Sequence, residues 1–448
     1  IWSCFSVRTP ALRDEAPLGR GALSYAGIPL LVAVLAVAAA GSAYLLFTRG
    51  SDDFQIFLIW ALAIAAVALA LVIRYQATHR MLWLVLASGL MVKLAGSMVR
   101  HWVYVEAYDR NGDAGVYYKK GLDIARGLWN LDPTQLFAPS GATFGTRFTS
   151  QVAGVVVSVS GPSMRAAFVV FALLAFVGVL LFAAASKRIP GVRSTPYLAW
   201  LVFWPSLFFW PSSVGKEAFV LFCLGLAVWG YAQLPRVAAW PALATGLLLA
   251  GLVRPHIAAV AIAAMAVGAI LRRDQAGLAG KWYFQLLFFA GAVALTFYLS
   301  AGALGIESLE SAVEAVEQQA AYSDTGGAAA GAISVTPLQI PNAFTRALFR
   351  PFVWEAGSAF MMLSALEVVA MVAAIIWRRK QLWASLRNWR SHRLLAFSVV
   401  FVVLYALLLG FSMGNLAIIA RQRTLLLPML FLLLQGREGN VPQTARKA

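Results

Sequence analysis

The chain has 448 residues, 61% of them hydrophobic and only 12% charged, with a net charge of +17 and a mean hydropathy of +0.76. That composition excludes a soluble globular domain, which carries roughly 25% charged residues to keep its surface wet, and it marks a polytopic membrane protein. Cys4 and Cys223 are too few and too far apart for a disulfide framework or a cysteine metal site. The basic residues are divided among short loops that flank apolar stretches, which fits topology and anionic headgroups rather than nucleic acid.

A bilayer core needs about 20 apolar residues per helix. On that measure the expected fold is all-α integral membrane, with about 12 transmembrane helices at 27–48, 54–73, 82–104, 164–186, 196–211, 217–233, 239–253, 255–271, 282–301, 357–377, 394–412 and 415–435. Residues 1–26 and 437–448 read as cytoplasmic tails around a polytopic transmembrane domain, 27–436. With the amino terminus inside, and charges at outer span mouths counted outside, the cytoplasmic side holds 21 Lys and Arg against 4 acids, and the outer side holds 14 of each. Lys93 and Glu367 fall within spans. All of the net charge then lies inside, as the positive-inside rule requires.

Two connections are long and external, 105–163 and 302–356, and loops of that length in a compact protein are usually functional or disordered. The first opens with Asp109, Asn111 and Asp113 and continues into a helical pattern. Its apolar positions Val116, Tyr117, Leu122, Ile124, Ala125 and Leu128 predict an amphipathic helix along the outer surface. The apolar stretch 148–160 predicts a second surface or re-entrant helix. Asp109, Asn111 and Asp113 match the opening of a calcium loop, but Ala114 and Lys120 stand where that loop needs glycine and glutamate. A divalent cation shared by Asp109, Asp113 and a donor phosphate stays open as an alternative.

Further along, an aromatic half-span, Phe203 to Trp210, runs into Pro211-Ser-Ser-Val-Gly-Lys216-Glu217. The Gly-Lys pair lacks the spacing of a nucleotide phosphate loop. Arg254-Pro255-His256 predicts a chain break at the outer surface. The second long loop opens with Glu307, Glu310, Glu314 and Glu317 on one helical face, read as solvated, followed by a Gly/Ala-rich stretch, Thr325–Gly331, read as mobile. It returns to the membrane through a segment bearing Arg346, Arg350, Trp354 and Glu355, and Arg421-Gln422-Arg423 lies near the outer end of the last span. Lys93 and Glu367, both near span centres, are expected to pair, because unpaired charge there is costly.

Five charged clusters thus fall on one side: Asp109/Asp113, Lys216-Glu217, Arg254/His256, Arg346/Arg350/Glu355 and Arg421/Arg423. Guanidinium groups grip phosphate through paired planar hydrogen bonds that lysine cannot copy, so converging arginines near the headgroup plane suit a lipid phosphate or pyrophosphate. Asp113 is the carboxylate best placed in the sequence to take a proton from a sugar hydroxyl. Glu217 and Glu355 are alternative bases, or simple partners of Lys216 and Arg350. The aromatics at 203–210 and Trp354 are candidate groove residues, and Tyr117 is a candidate substrate-binding residue.

The early acidic loop with Asp109 and Asp113, the Lys216-Glu217 pair after an aromatic Pro-Ser turn, the Arg254-Pro255 break and the terminal Arg421-x-Arg423 together resemble the type-C polytopic membrane glycosyltransferases, and Leu348-Phe-Arg-Pro-Phe-Val-Trp-Glu355 resembles a segment of bacterial envelope-polysaccharide membrane proteins. The resemblance implies a polyprenyl-phosphate-linked sugar donor, a glycan or lipid-linked acceptor, an external-loop aspartate as base, and the bacterial inner (plasma) membrane with the site facing outside. Many members place two acids side by side, whereas Asp109 and Asp113 are four positions apart, which leaves metal and base identity open. The expected activity is glycosyl transfer from that donor, with a polysaccharide polymerase or ligase using a pyrophosphate-linked glycan as one alternative. A transporter or flippase of lipid-linked substrate is the competing class.

Overall fold

The computed structural model describes residues 40–50, 52–75, 80–137, 144–271, 309–324 and 328–436, together with Val37, Ala38, Tyr283, Leu287 and Gly291. The expected span 282–301 lies outside these residues apart from the last three named, and Glu307 lies outside them altogether. Among the described residues the fold is all-helical, with one isolated antiparallel bridge between Ala329 and Asn415.

In chain order the helices are α1 (40–49), α2 (Asp53–Tyr75), α3 (Arg80–Trp102, extended by a π turn, Val103–Ala107), α4 (Asp113–Trp129), α5 (Thr134–Phe137), α6 (Phe144–Ser160) and α7 (Met164–Ser186). They continue as α8 (Ser194–Phe203), α9 (Pro205–Phe209), α10 (Lys216–Gln233), α11 (Trp240–Val253), α12 (Pro255–Leu271) and α13 (Leu309–Ser323). The last six are α14 (Ile340–Phe349), α15 (Ala359–Trp377), α16 (Arg379–Arg387), α17 (Arg393–Ser412), α18 (Leu416–Arg423) and α19 (Leu427–Leu433).

Four described helices are long and apolar enough to cross a membrane: Met81–Ala107, Met164–Ser186, Ala359–Trp377 and Arg393–Ser412. The pair α18 and α19 makes a fifth if a 58° bend between them is allowed within one crossing. These are the marks of a membrane protein.

Two of the expected continuous spans are broken instead. The stretch 196–211 ends as a helix at Phe203, because Pro205 forces Trp204 out of the helical region (φ −71, ψ 127) before α9 begins. The last span, 415–435, bends between α18 and α19, with Pro428 in the first turn of α19. At 254 the break that the sequence predicts is present: Arg254 stands in an extended conformation (φ −143, ψ 85) ahead of Pro255.

The chain forms two compact units. The first comprises residues up to Ala142 with Thr146–Leu173 and Ser212–Gly215. Its core joins Ala38 and Leu45 to Ile56, Trp60 and Ala166, and the Trp60 indole donates to Ser42 Oγ (3.1 Å) and Ser160 O (3.0 Å). Helix α4 lies directly on α6, since a Cβ at Gly121 would stand 2.9 Å from the Ala153 backbone and one at Gly154 2.5 Å from the Ile124 side chain. Its buried positions are Gly115, Tyr117, Gly121, Ile124 and Ala125, while Val116 is exposed. The expected face is present except at Val116, and Gly115 and Gly121 join it, where they permit close approach.

The second unit holds Thr143–Gly145, Leu174–Pro211 and everything from Lys216 onward. Small residues bring its helices together: a Cβ at Gly178 would stand 2.7 Å from Leu221 O, and one at Gly246 2.5 Å from Ala227 N. The unit has two chemically distinct ends. At one, the start of α10 meets the α11–α12 break and α18 through charged side chains. At the other, Arg188 bonds Gln233, the Arg393 guanidinium lies 5.8 Å from the centre of the Tyr231 ring, and Ser385 Oγ donates to Leu433 O (2.8 Å).

Candidate functional site

The second unit brings three of the predicted site residues into contact. Glu217, in the first turn of α10, has its carboxylate bridged by two arginines: Arg254 Nη2 donates to Oε1 (2.5 Å) and Arg421 Nη2 to Oε2 (2.8 Å). The glutamate side chain is 3% exposed, Arg254 9% and Arg421 26%. A buried carboxylate is stable only when opposite charge and hydrogen bonds compensate its lost hydration, and here each oxygen has its own guanidinium. The arrangement aims both arginines at one point and still leaves Arg254 Nη1, a buried donor, without a hydrogen-bond partner among the described residues. Two cations against one anion leave the cluster positive, and Lys216 adds to that. His256, two residues past Arg254, is exposed on the same stretch.

Arg423 does something different from what the sequence implies. Instead of facing a ligand it is 3% exposed, and its Nη1 donates to two backbone carbonyls, Leu348 O (3.2 Å) and Arg350 O (2.8 Å). It fastens α18 to the carboxy end of α14. Arg350 in turn forks onto Glu355 through Nε (2.8 Å) and Nη2, and Phe352 N–H donates to the same carboxylate (2.8 Å). Burial alone would push the Glu355 carboxyl up, but the Arg350 fork and the Phe352 N–H outweigh it and hold the group below its ordinary value. Glu217 and Glu355 are thus each paired with arginine, Glu217 with Arg254 and Arg421 rather than with Lys216, and Glu355 with Arg350 as the sequence suggests.

Arg346 is 1% exposed and donates through Nη1 to Gly331 O (2.5 Å). Residues 328–331, which supply that carbonyl, are held where the sequence reads Thr325–Gly331 as mobile, and 325–327 lie outside the described residues. Ala330 N–H donates to Gly414 O (2.9 Å) and Asp324 Oδ1 (3.1 Å), Gly331 N–H to Asp324 Oδ1 (3.0 Å), and Gly414 N–H to Ser323 Oγ (2.7 Å). Glu317, read as part of a solvated face, instead accepts from Val335 N–H (2.8 Å). Trp354 is 82% exposed and stacks on Phe352 with ring centres 4.8 Å apart.

Asp109 and Asp113 belong to the first unit, where both are exposed. The turn between α3 and α4 is fixed by Tyr104, whose hydroxyl donates to Arg110 O (2.8 Å), and Asp109 and Arg110 are left-handed (φ 46 and 57). Asp113 heads α4, and one turn later Tyr117 is buried in the core of the unit rather than lining a groove. Among the described residues no group of three or more His, Cys, Asp or Glu is placed to hold a metal ion, so a cation on Asp109 and Asp113 would draw its other ligands from a phosphate and water. Lys93 lies in the first unit and Glu367 in the second, where Glu367 accepts from Ser206 N–H (3.1 Å) at the start of α9.

The sequence reading passes over a polar group in the first unit. Asp53 accepts from Ser163 Oγ (2.6 Å) and pairs with Arg165 (3.0 Å), and the charges of both reach His101. The available signal is positional, since Asp53 and Arg165 each open a long apolar helix. No family model, no curated protein and no solved structure matches the chain.

Proposed function

We propose that the chain is a membrane glycosyltransferase that moves a sugar or glycan from a polyprenyl-phosphate-linked donor to an acceptor at the extracytoplasmic face of the bacterial inner membrane. The observation that carries this reading is the bridging of Glu217 by Arg254 and Arg421, residues far apart in the chain that converge at the broken ends of apolar helices. Guanidinium donors held in place before reaction stabilise charge as it develops on a leaving phosphate, and Arg254 Nη1 is a buried donor still available for it.

In this reading an acceptor hydroxyl oxygen attacks the anomeric carbon and passes its proton to a carboxylate base, for which Asp113 is the candidate the sequence offers. The bond from that carbon to the phosphate oxygen breaks, and the phosphate leaves with the electron pair toward Arg254 and Arg421. The separation of charge in the second unit supports the orientation. The end with Arg188, Arg393 and the Arg379–Arg387 helix is basic, as a cytoplasmic face is, and the end with Glu217, Glu355 and Asp324 is mixed.

The test is purified protein in vesicles supplied with a radiolabelled polyprenyl-phosphate sugar. Release of carrier phosphate should fall about a hundredfold or more in Asp113→Asn while the protein folds as before, since Asp113 is exposed. The broken helices at Trp204 and between α18 and α19 also favour a second reading, a transporter of lipid-linked substrate, because transporters bind at such breaks. Movement of the intact donor across the vesicle membrane without bond cleavage would select it.

A further inference from the structure

A guanidinium has two bidentate edges, an end-on fork of Nη1 and Nη2 and a side-on pair of Nε and Nη2, each presenting parallel N–H groups to a phosphate or carboxylate. In Arg346 only Nη1 is used, on Gly331 O. Nε and Nη2 have no hydrogen-bond partner among the described residues, although the side chain is 1% exposed. Two idle donors on a buried cation are costly unless an oxyanion takes them. The nearby carboxylates do not, because Asp324 accepts from Ala330 and Gly331 N–H and Glu355 from Arg350 and Phe352.

The position of this edge relative to the Glu217 cluster follows from α18. Arg421 leaves that helix toward Glu217, and Arg423, two residues on, toward Leu348 O and Arg350 O at the end of α14, the helix that bears Arg346. The two sets of arginines therefore flank a single eight-residue helix.

We propose that the Nε–Nη2 edge of Arg346 is a second phosphate-binding site, which takes two oxygens of the phosphate that ties the acceptor glycan to its own lipid carrier. Resting on the transferase reading above, it assigns a lipid-linked acceptor, so that both substrates enter from the bilayer and each phosphate has its own arginine. That favours polymerisation of carrier-linked glycans over transfer to a soluble acceptor.

The test uses full-length protein in nanodiscs of phosphatidylcholine, titrated with a polyprenyl monophosphate in the bilayer and, separately, with radiolabelled inorganic phosphate in solution. Wild-type protein should bind two equivalents of the lipid, a result that needs no variant. Arg346→Lys keeps the charge and the reach to Gly331 but loses the paired edge, and should bind one equivalent tightly and the other about tenfold more weakly or worse. Arg254→Lys should lose the other equivalent. A single wild-type equivalent that Arg346→Lys leaves unchanged overturns the second site. Two equivalents of which only the Arg346-dependent one responds to these variants would sink the donor role of the Glu217 cluster and keep the site. Inorganic phosphate that fills the Arg346-dependent site while the lipid does not would overturn the acceptor assignment.

Discussion

Arg421 and Arg423 stand two positions apart on one short helix yet hold unlike partners: Arg421 Nη2 meets Glu217 Oε2 at 2.8 Å, and Arg423 Nη1 meets Arg350 O at 2.8 Å. Two residues along a helix turn the side chain by about 200°, so neighbours of this kind face nearly opposite ways. One arginine of the pair completes a charge cluster and the other is a fastener for the α14 end. The Arg-x-Arg motif is therefore not a single clamp but a hinge point between two polar clusters, both within the second unit.

If Glu217 is what holds Arg254 and Arg421 together, neutralising it leaves a buried and a half-buried guanidinium without an anion. Glu217→Gln should destabilise the protein by about 3 kcal/mol, the scale of breaking a buried ion pair from one side. Adding Arg254→Met to that variant removes one of the stranded charges and should restore part of the loss. Thermal unfolding in one detergent at one pH compares the three proteins. Equal midpoints for wild type and Glu217→Gln would mean that the bridge contributes nothing to the fold.

Much of this cluster is legible in the sequence and the strap beside it is not. Charged residues at the ends of apolar runs, one of them beside Pro255, can be found by inspection, because burying charge and breaking a helix are both rare inside a span; Glu217, Arg254 and Arg421 are picked out in that way, but not their pairing with one another. Which of two arginines meets a carboxylate depends on helix rotation, and so the different partners of Arg421 and Arg423 do not show in the sequence. Residues 328–331 are three alanines and a glycine, with no side-chain pattern to show that they are anchored. Their order comes from Asp324, Ser323 and Gly414, through backbone groups to which sequence patterns are blind. The closeness of α4 to α6 escapes for a related reason: Gly121 and Gly154 permit it, and the apolar pattern does not show it.

Acid should loosen the segment after α14. The folded Glu355 carboxyl, below its ordinary value of 4.5, gives up its proton more readily than the unfolded one. Its contribution to stability is therefore complete above about pH 4.5 and is lost as pH falls through the lower folded value. The protection factor of the Phe352 amide, corrected for intrinsic exchange, should stay level from pH 7 to pH 5 and drop below pH 4.5. In Glu355→Gln it should be low throughout and flat. A wild-type profile as flat as the variant's would show that the carboxylate does not hold this turn.

Glycines of two kinds should respond in opposite ways to a side chain. Gly225 of α10 lies against Gly178 of α7, where a Cβ would stand 2.8 Å from the Gly178 Cα. Gly225→Val has no room and should cost about 1 to 3 kcal/mol as the helices are forced apart. Gly251 of α11 meets nothing nearer than the Ala258 Cβ at 3.7 Å, so Gly251→Ala should be neutral or stabilise by up to about 1 kcal/mol through helix propensity. Unfolding midpoints measured side by side would refute the packing if both variants moved together.

Asp324 separates two amides that are neighbours in sequence. Gly331 N–H donates to its carboxylate alone, at 3.0 Å, whereas Ala330 N–H is shared between Asp324 Oδ1 and Gly414 O. Asp324→Ala should therefore expose Gly331 more than Ala330. Loss of one hydrogen bond to a charged acceptor is worth about 1.5 kcal/mol, or about tenfold in exchange rate, so the Gly331 amide should exchange about ten times faster and Ala330 by a smaller factor. The Gly414 amide, which bonds to Ser323 Oγ rather than to Asp324, serves as the internal reference and should keep its rate. Equal acceleration at all three amides would mean that the variant unfolds the segment as a whole, and that Asp324 is an anchor for the connection after α17 as well as for residues 330 and 331.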